Sequence, residues 1–508
     1  MGKIGLHSGK FVMNMDHRLD PGPQSWAQLK LLYTSPSISL SEEAKGNVSR
    51  ANEFLLDVVA SGRTVYGVNT GFGQLAHVRV GEDELHQLQE NIIRSHAAGL
   101  GEPLPPAIVR WMLLFKVCGL IRGHSGVQLQ TVNRLVDFYN AGLLPVVPRQ
   151  GSLGASGDLA PLSHMCLPLL GEGELMEQKA DGQWRTRPAS EVLQEKGWSP
   201  IALGPKEGLA LINGTQMMSA LLAHSLQDLE HLWDEAHGIA SLSLAAFEGL
   251  ASPFHPAVHS LRQHAGQQES AAAMRKWLDG AGFLRETHEW VQDPYSFRCI
   301  PQVYGAVRTA IDRGIETLEG ESTAVTDNPI LLPETGEVIS AGNFHGEPLA
   351  VVLDHLKVAA SELGTMSERR IYKLLSGTRG LPPFLATDPG LDSGLMIVQY
   401  TAASVVARNK MRAMPASVDT IDSSNGQEDH VSMGANAGLQ LLAVVEGARE
   451  VLACELLTAS QALHFRSAPG LSQMQSAYLA RFRVAVPPQE GDVEQSSRMK
   501  LAIRSLQR

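Results

Sequence analysis

Long stretches of apolar residues at helical spacing constrain this chain most. They run over about 215–247, 302–319, 346–376, 393–412 and 430–464, and several are nearly apolar around the whole circumference. A helix tolerates that pattern only when it is shielded on all sides, so these segments read as the middle of a large bundle. Length alone suggests about three domains for 508 residues. No internal repeat or low-complexity linker interrupts the helical signal, however. The expected fold is one extended, mostly α architecture, a long central helical bundle with a smaller mixed N-terminal part. Composition divides it into an N-terminal extension over 1–33, irregular and broken by Asp20-Pro21-Gly22-Pro23, and an N-terminal part over 34–215. The long-helix bundle follows over 216–480, with a C-terminal helical segment over 481–508.

Within the N-terminal part, Ser41-Glu42-Glu43-Ala44 reads as a helix start. Thr64 to Gly73 combines β-formers with glycines and predicts a short strand running into a mobile loop. From Glu82, Leu85, Leu88, Ile92 and Ile93 recur at helical spacing, with His96 on the same face. Helices are expected after Pro105-Pro106 and over about 127–139, and Asp181-Gly182 marks a hairpin turn in the polar stretch 172–206. A net charge of −11 argues against a nucleic-acid or anionic-membrane surface. No apolar run is long enough to span a bilayer, and Met1 to Met15 lacks the plan of a signal peptide. The four cysteines are scattered without Cys-x-x-Cys spacing, which fits free thiols in a reducing cytoplasm. No His-Glu-x-x-His occurs, and His255 and His259 lack an obvious third ligand, so no metal site is expected.

Chemistry concentrates in Gly151-Ser152-Leu153-Gly154-Ala155-Ser156-Gly157-Asp158-Leu159-Ala160-Pro161-Leu162, five of whose twelve residues are Gly or Ala. Small residues let a backbone reach positive φ and pass close to itself. Ala155-Ser156-Gly157 could fold tightly enough for the Gly157 nitrogen to attack the Ala155 carbonyl. Loss of one water closes a five-membered ring, and loss of the Ser156 hydroxyl leaves an exocyclic methylidene. The product, a methylidene-imidazolone, is an electrophile made from the chain itself. A Gly/Ser loop that opens a helix more often cradles a phosphate or simply turns the chain. No Lys-Ser/Thr follows the glycines, which weakens the phosphate reading.

The whole string resembles the signature of the aromatic amino acid ammonia-lyases, and further segments resemble that family in the same order. They are Tyr66 to Gly73, Ser95 to Gly99, Leu211 to Gln216, Gln292 to Arg298, Gly342 to Pro348 and Gln427 to Ser432, within a resemblance covering about 35–470. It implies an ammonia-lyase or fumarase-like fold, the methylidene-imidazolone (MIO) formed autocatalytically from Ala155, Ser156 and Gly157, and no external cofactor. By the same resemblance Tyr66 is the base that takes the β-proton, and Asn213 hydrogen-bonds the cofactor carbonyl. Tyr295 and Gln292 belong to the active site, Arg298 pairs with the substrate carboxylate and Phe344 lines the pocket. Glycines beside Tyr66 would let its loop close over substrate. Amides of the helix starting near Asp158 would stabilise charge on the ring.

Substrate choice in the family tracks the pair occupied here by Ser95-His96. Phe-Leu goes with phenylalanine, His-Leu with tyrosine and Ser-His with histidine. His96 and Glu428 could hydrogen-bond the two nitrogens of an imidazole, which a phenyl ring cannot satisfy. The resemblance therefore implies elimination of ammonia from L-histidine to give trans-urocanate, in histidine catabolism, by a cytoplasmic homotetramer whose subunits share active sites. Its partner is a small-molecule aromatic amino acid, with no nucleic acid and no membrane. Gly426 and Met414 depart from the residues usual in the bacterial histidine enzymes, and residues after about 465 match weakly.

Taken singly, these residues admit plainer roles: Tyr66 in a strand, Asn213 in a turn, Arg298 on the surface, Phe344 in the core, Glu428 in a structural pair. A related lyase or 2,3-aminomutase, a fumarase-like lyase and an inactive paralogue are the competing functions. Intact mass separates the last two from the self-modifying enzyme, whose mature chain is expected to be two waters lighter than encoded. A mature, active protein of unaltered mass contradicts the cyclised tripeptide.

Overall fold

In the computed structural model, which describes residues 17–70, 80–81, 84–283 and 290–507, each long apolar pattern folds as one helix. These are Gln216–Ala246, Ile300–Glu321, Glu347–Leu375, Met396–Arg412 and Gly434–His464. The chain forms two units. One comprises Met1–Ala220, Glu319–His345 and Ile421–Val431; the other comprises Leu221–Leu318, Gly346–Thr420 and Ser432–Arg508. The mostly α class therefore holds, with the long helices supplying the bundle.

The second unit explains why the Gly434–His464 helix lacks a polar face over its C-terminal half. Every residue from Val451 to Leu463 of the Gly434–His464 helix is buried, and this helix packs along Glu347–Leu375 and Met396–Arg412. Close packing is built in at Gly438, where a Cβ would lie 2.7 Å from Leu221 Cδ1. The charges inside are paired. Arg370 Nε donates to Glu455 Oε1 at 2.5 Å, and Arg370 Nη2 donates to Glu455 Oε2 and to the Tyr304 hydroxyl. Arg370 Nη1 reaches the Ser296 carbonyl at 3.0 Å, and the Ser243 hydroxyl donates to Glu455 Oε1. Shorter helices, Ala265–Leu278, Gln473–Ala485 and Gln495–Ser505, complete this unit.

The first unit is mixed. The Ser41 hydroxyl accepts from the Ala44 amide and starts the Glu42–Ala60 helix, as its sequence predicts. Helices Leu85–His96, Pro106–Leu120 and Leu129–Ala141 follow. The hairpin expected at Asp181-Gly182 joins strands Glu174–Gln178 and Trp184–Pro188, with Gly182 at φ +83°. The remaining sheets are two-stranded, including the Ile330–Leu332/Glu337–Ile339 hairpin.

Two expectations fail here. Residues 1–16 lie outside the described residues, but 17–34 are not irregular. His17–Leu19 pairs in parallel with Ile38–Leu40, and Trp26–Thr34 is a helix with a Ser25/Gln28 capping box. Trp26, Leu29 and Leu32 are buried, and Tyr33 stacks on Trp111 at 4.2 Å. Aromatic burial outweighs the nearby proline break. The strand expected from Thr64 is instead a turn. The Asn69 side chain accepts from the Val65 amide and donates to the Arg63 carbonyl, and Thr70 Oγ1 accepts from the Gly67 amide. Local side chains thus satisfy the backbone that a neighbouring strand would have paired. The loop expected to follow, with Gly71 and Gly73, falls in 71–79, outside the described residues.

Among the described residues no helix is long and apolar enough to cross a membrane, and all four cysteines are free thiols. Replacing Arg370 by Met is expected to destabilise the fold by about 3–5 kcal/mol, because Glu455 keeps its charge without its partner. A chemical-denaturation midpoint equal to that of the parent chain would show the pair to be energetically idle.

Candidate active site

Gly157 sits at φ +75°, and a Cβ there would lie 2.1 Å from the Gly214 carbonyl oxygen. Only glycine fits this contact, which brings the 151–162 loop directly against the turn before the Gln216–Ala246 helix. Asp158 secures it. Its amide donates to Gly214 O at 2.7 Å, and its carboxylate Oδ2 accepts from the Met217 and Met218 amides at 3.0 Å each. The Ser152 hydroxyl donates to Oδ1 at 3.0 Å. Burial raises the Asp158 carboxyl to about 6, against these hydrogen bonds, which favour the charged form. The Asp158 amide is thus committed to Gly214 and does not serve the loop as an anion donor. The helix that follows is Leu159–Cys166.

Asn213 carries the next contact. Its Nδ2 donates to the Ser156 carbonyl at 2.6 Å, while its Oδ1 is buried with no hydrogen-bond partner. Lys116 holds its backbone from below, donating from Nζ to the carbonyls of Ala210 and Asn213 at 3.2 and 3.1 Å. Burial lowers the Lys116 ammonium to about 8. The sequence held a signal for this residue, a lone lysine inside the apolar Pro106–Leu120 helix.

The Ser156 hydroxyl points the other way and donates to Glu428 Oε1 at 2.6 Å. The Ser423 hydroxyl donates to Glu428 Oε2 at 2.8 Å, and the backbones of Ser423 and Glu428 pair in antiparallel fashion. Asn425, at φ +54°, turns the chain between them. No sequence pattern pointed to Ser423.

Ser156, Asn213 and Glu428 face a cavity of about 1020 Å3, the size of a small-ligand site. Tyr66, Ala155, Ser156 and Asn213 contribute to its wall, together with His96, Phe344 and Glu428. His96 ends the Leu85–His96 helix, and its Nδ1 lies 3.0 Å from the Ser95 hydroxyl. Burial pushes its imidazole below the ordinary range, opposed by the Ile92 backbone and the Glu428 charge. A neutral imidazole offers one donor and one acceptor. His345 and His430 also line the cavity, their rings stacked with centroids 5.6 Å apart. Among the described residues no Lys or Arg lines it. Gln292, Tyr295 and Arg298 belong to the second unit and are not among the lining residues. There the Arg298 guanidinium stands 4.5 Å above the ring of Tyr295, which is 70 % exposed.

The arrangement offers a hydroxyl-bearing tripeptide with an amide on its carbonyl, a phenol, and an imidazole and a carboxyl on the same cavity wall. It suits proton transfer and recognition of a heteroaromatic ring more than phosphate binding. Comparison with known proteins agrees in kind. The family described as aromatic amino acid lyase matches residues 25–484. A histidine ammonia-lyase of Symbiobacterium thermophilum is 47% identical over 457 residues, 90% of this chain and 89% of that protein. The crystal structure of histidine ammonia-lyase from Trypanosoma cruzi superposes with TM-score 0.88 at 38% identity, covering 97% of this chain and 93% of that one. Phenylalanine aminomutase of Pantoea agglomerans gives TM-score 0.91 at 30% identity, covering 97% and 99%.

The Asp158 carboxyl has a pH signature. Folding raises it to about 6, whereas an unfolded aspartate titrates near about 4. Between those values the native state holds a proton that the unfolded chain has released. Its contribution to stability is therefore complete below about pH 4 and is lost as pH rises through about 6. Asp158→Asn is expected to flatten the fall of the thermal midpoint over that window, and an unchanged slope would assign the fall to other groups.

Proposed function

The chain belongs to the aromatic amino acid lyase family, and from that premise we propose that it eliminates ammonia from L-histidine to give trans-urocanate, a reaction of histidine catabolism. The observation that carries the reading is the presence of His96 and Glu428 in one cavity with the Asn213-bound tripeptide. A neutral imidazole and a carboxyl group together match the two nitrogens of a histidine ring. A phenyl ring would leave both unpaired, which disfavours it strongly.

We propose further that Ala155, Ser156 and Gly157 close into MIO with loss of two waters. The residues fit that group: Gly157 has no room for a side chain, Asn213 Nδ2 grips the Ser156 carbonyl, and Asn213 Oδ1 is a buried acceptor without a partner. When formed, MIO supplies the electron-poor carbon that turns a poor nitrogen leaving group into a good one. Asn213 Nδ2 stabilises negative charge at the Ser156 oxygen throughout. Tyr66 takes the β-proton as general base. Phe344 closes the apolar side of the ring site.

A histidine substrate also carries a carboxylate, and among the described residues no Lys or Arg of the cavity wall meets it. Arg298 offers the bidentate fork that this group requires. We assign it, with Tyr295 and Gln292, to the same active site through assembly, each site of a homotetramer being completed by a neighbouring subunit. The free cysteines suit a reducing cytoplasm as the place of action.

Incubation with histidine, phenylalanine and tyrosine separately is expected to yield urocanate from histidine alone, followed by its absorbance. Cinnamate or coumarate as chief product would overturn the substrate assignment, and a β-amino acid would make the enzyme an aminomutase. Tyr66→Phe is expected to lower kcat by about 100-fold or more while the chain keeps its two-water mass loss; full turnover would remove Tyr66 as the base.

A further inference from the structure

We infer that Glu428 is the proton donor for the last step by which the tripeptide matures, a task separate from any contact with substrate. The inference rests on the reading that residues 155–157 cyclise. In the uncyclised chain the Ser156 hydroxyl already lies 2.6 Å from Glu428 Oε1. The other oxygen, Oε2, is anchored at 2.8 Å by the Ser423 hydroxyl, and the paired backbones of 423 and 428 hold both in place. The carboxyl is thus aimed at the oxygen that leaves in this last step. Asn213, by contrast, binds the Ser156 carbonyl and not its hydroxyl.

Both dehydrations expel a hydroxyl, but the first is pushed by the nitrogen lone pairs on the former Ala155 carbonyl carbon, whereas Ser156 Cβ carries no such donor and its hydroxide departs badly without a proton. In its acid form Glu428 delivers that proton to Oγ as the Cβ–Oγ bond breaks. The Ser156 Cα proton passes to water, the Cα=Cβ bond forms, and one water leaves. Glu428 then regains a proton from solvent and is unchanged. A hydroxyl both donates and accepts, so the contact seen with the carboxylate serves equally once the carboxyl is protonated.

The test is the intact mass of the freshly purified, full-length chain, followed with time after synthesis, alongside circular dichroism. The parent chain is expected to be two waters lighter than encoded. Glu428→Gln is expected to accumulate the species lacking one water and to lose the second at least about tenfold more slowly. Glu428→Asp is expected to recover part of the rate. Ser423→Ala, which leaves the carboxyl in place but loosens it, is expected to slow the second loss several-fold with an unchanged spectrum, and it serves if Glu428→Gln fails to fold. Second-water loss at the parental rate in folded Glu428→Gln, or in Ser423→Ala if the former is unfolded, overturns the assignment and leaves Glu428 to substrate alone. A parent chain of encoded mass overturns the cyclisation reading itself, a distinguishable outcome.

Discussion

A buried carboxylate, Asp158, fastens the loop of small residues to the first turn of a 31-residue helix. The first amides of any helix lack partners within it, and here two of them are met by Asp158. The exchange serves both parties. A glycine-rich segment loses much conformational entropy when it is ordered, and four polar contacts at one residue offset that loss. The same residue makes the Gly157–Gly214 approach permanent, so the orientation of Ser156 follows from a contact two residues away. Without it, neither the Asn213 amide nor the Glu428 carboxyl would have a fixed oxygen to address.

Pairs of buried polar groups also explain how distant segments of chain come to share a unit. Lys206 forms an ion pair with Asp327, whose other oxygen accepts from the Ser125 hydroxyl at 2.8 Å. Gln216 Nε2 donates to Thr326 Oγ1 at 3.0 Å, and Thr215 hydrogen-bonds Glu321. Together they dock Glu319–His345 beside the loop. The Ile421–Val431 excursion is docked by Glu428 on Ser156, and the His430 carbonyl lies 3.2 Å from His345 Nε2. Buried ion pairs of this kind contribute little net stability compared with apolar packing. Here they fix which segments meet.

The helices were legible because burial on every side leaves a mark in composition, and caps such as Ser41 mark where a helix begins. The Trp26–Thr34 helix was obscured by the prolines before it, although its buried Trp26, Leu29 and Leu32 recur at helical spacing. The turn at 65–70 reads as a strand because Val65 and Val68 favour strands, while the deciding partner is the side chain of Asn69. His96 and Asn213 could be singled out from local strings. Ser423 could not, since its purpose arises only when Glu428 meets a hydroxyl 272 positions away in the chain. Arg298 was legible as a residue of interest, but the cavity wall of the first unit does not include it.

The two hydroxyls on Glu428 also bear on how such a protein diversifies. Any substitution at 428 that lacks a carboxylate strips the Ser156 hydroxyl of its acceptor. Ser95 and His96 carry no such second obligation to the loop among the described hydrogen bonds. Glu428 thus ties the Ser423 and Ser156 hydroxyls into one network, whereas the described side-chain hydrogen bonds of Ser95 and His96 stay local to the end of the Leu85–His96 helix.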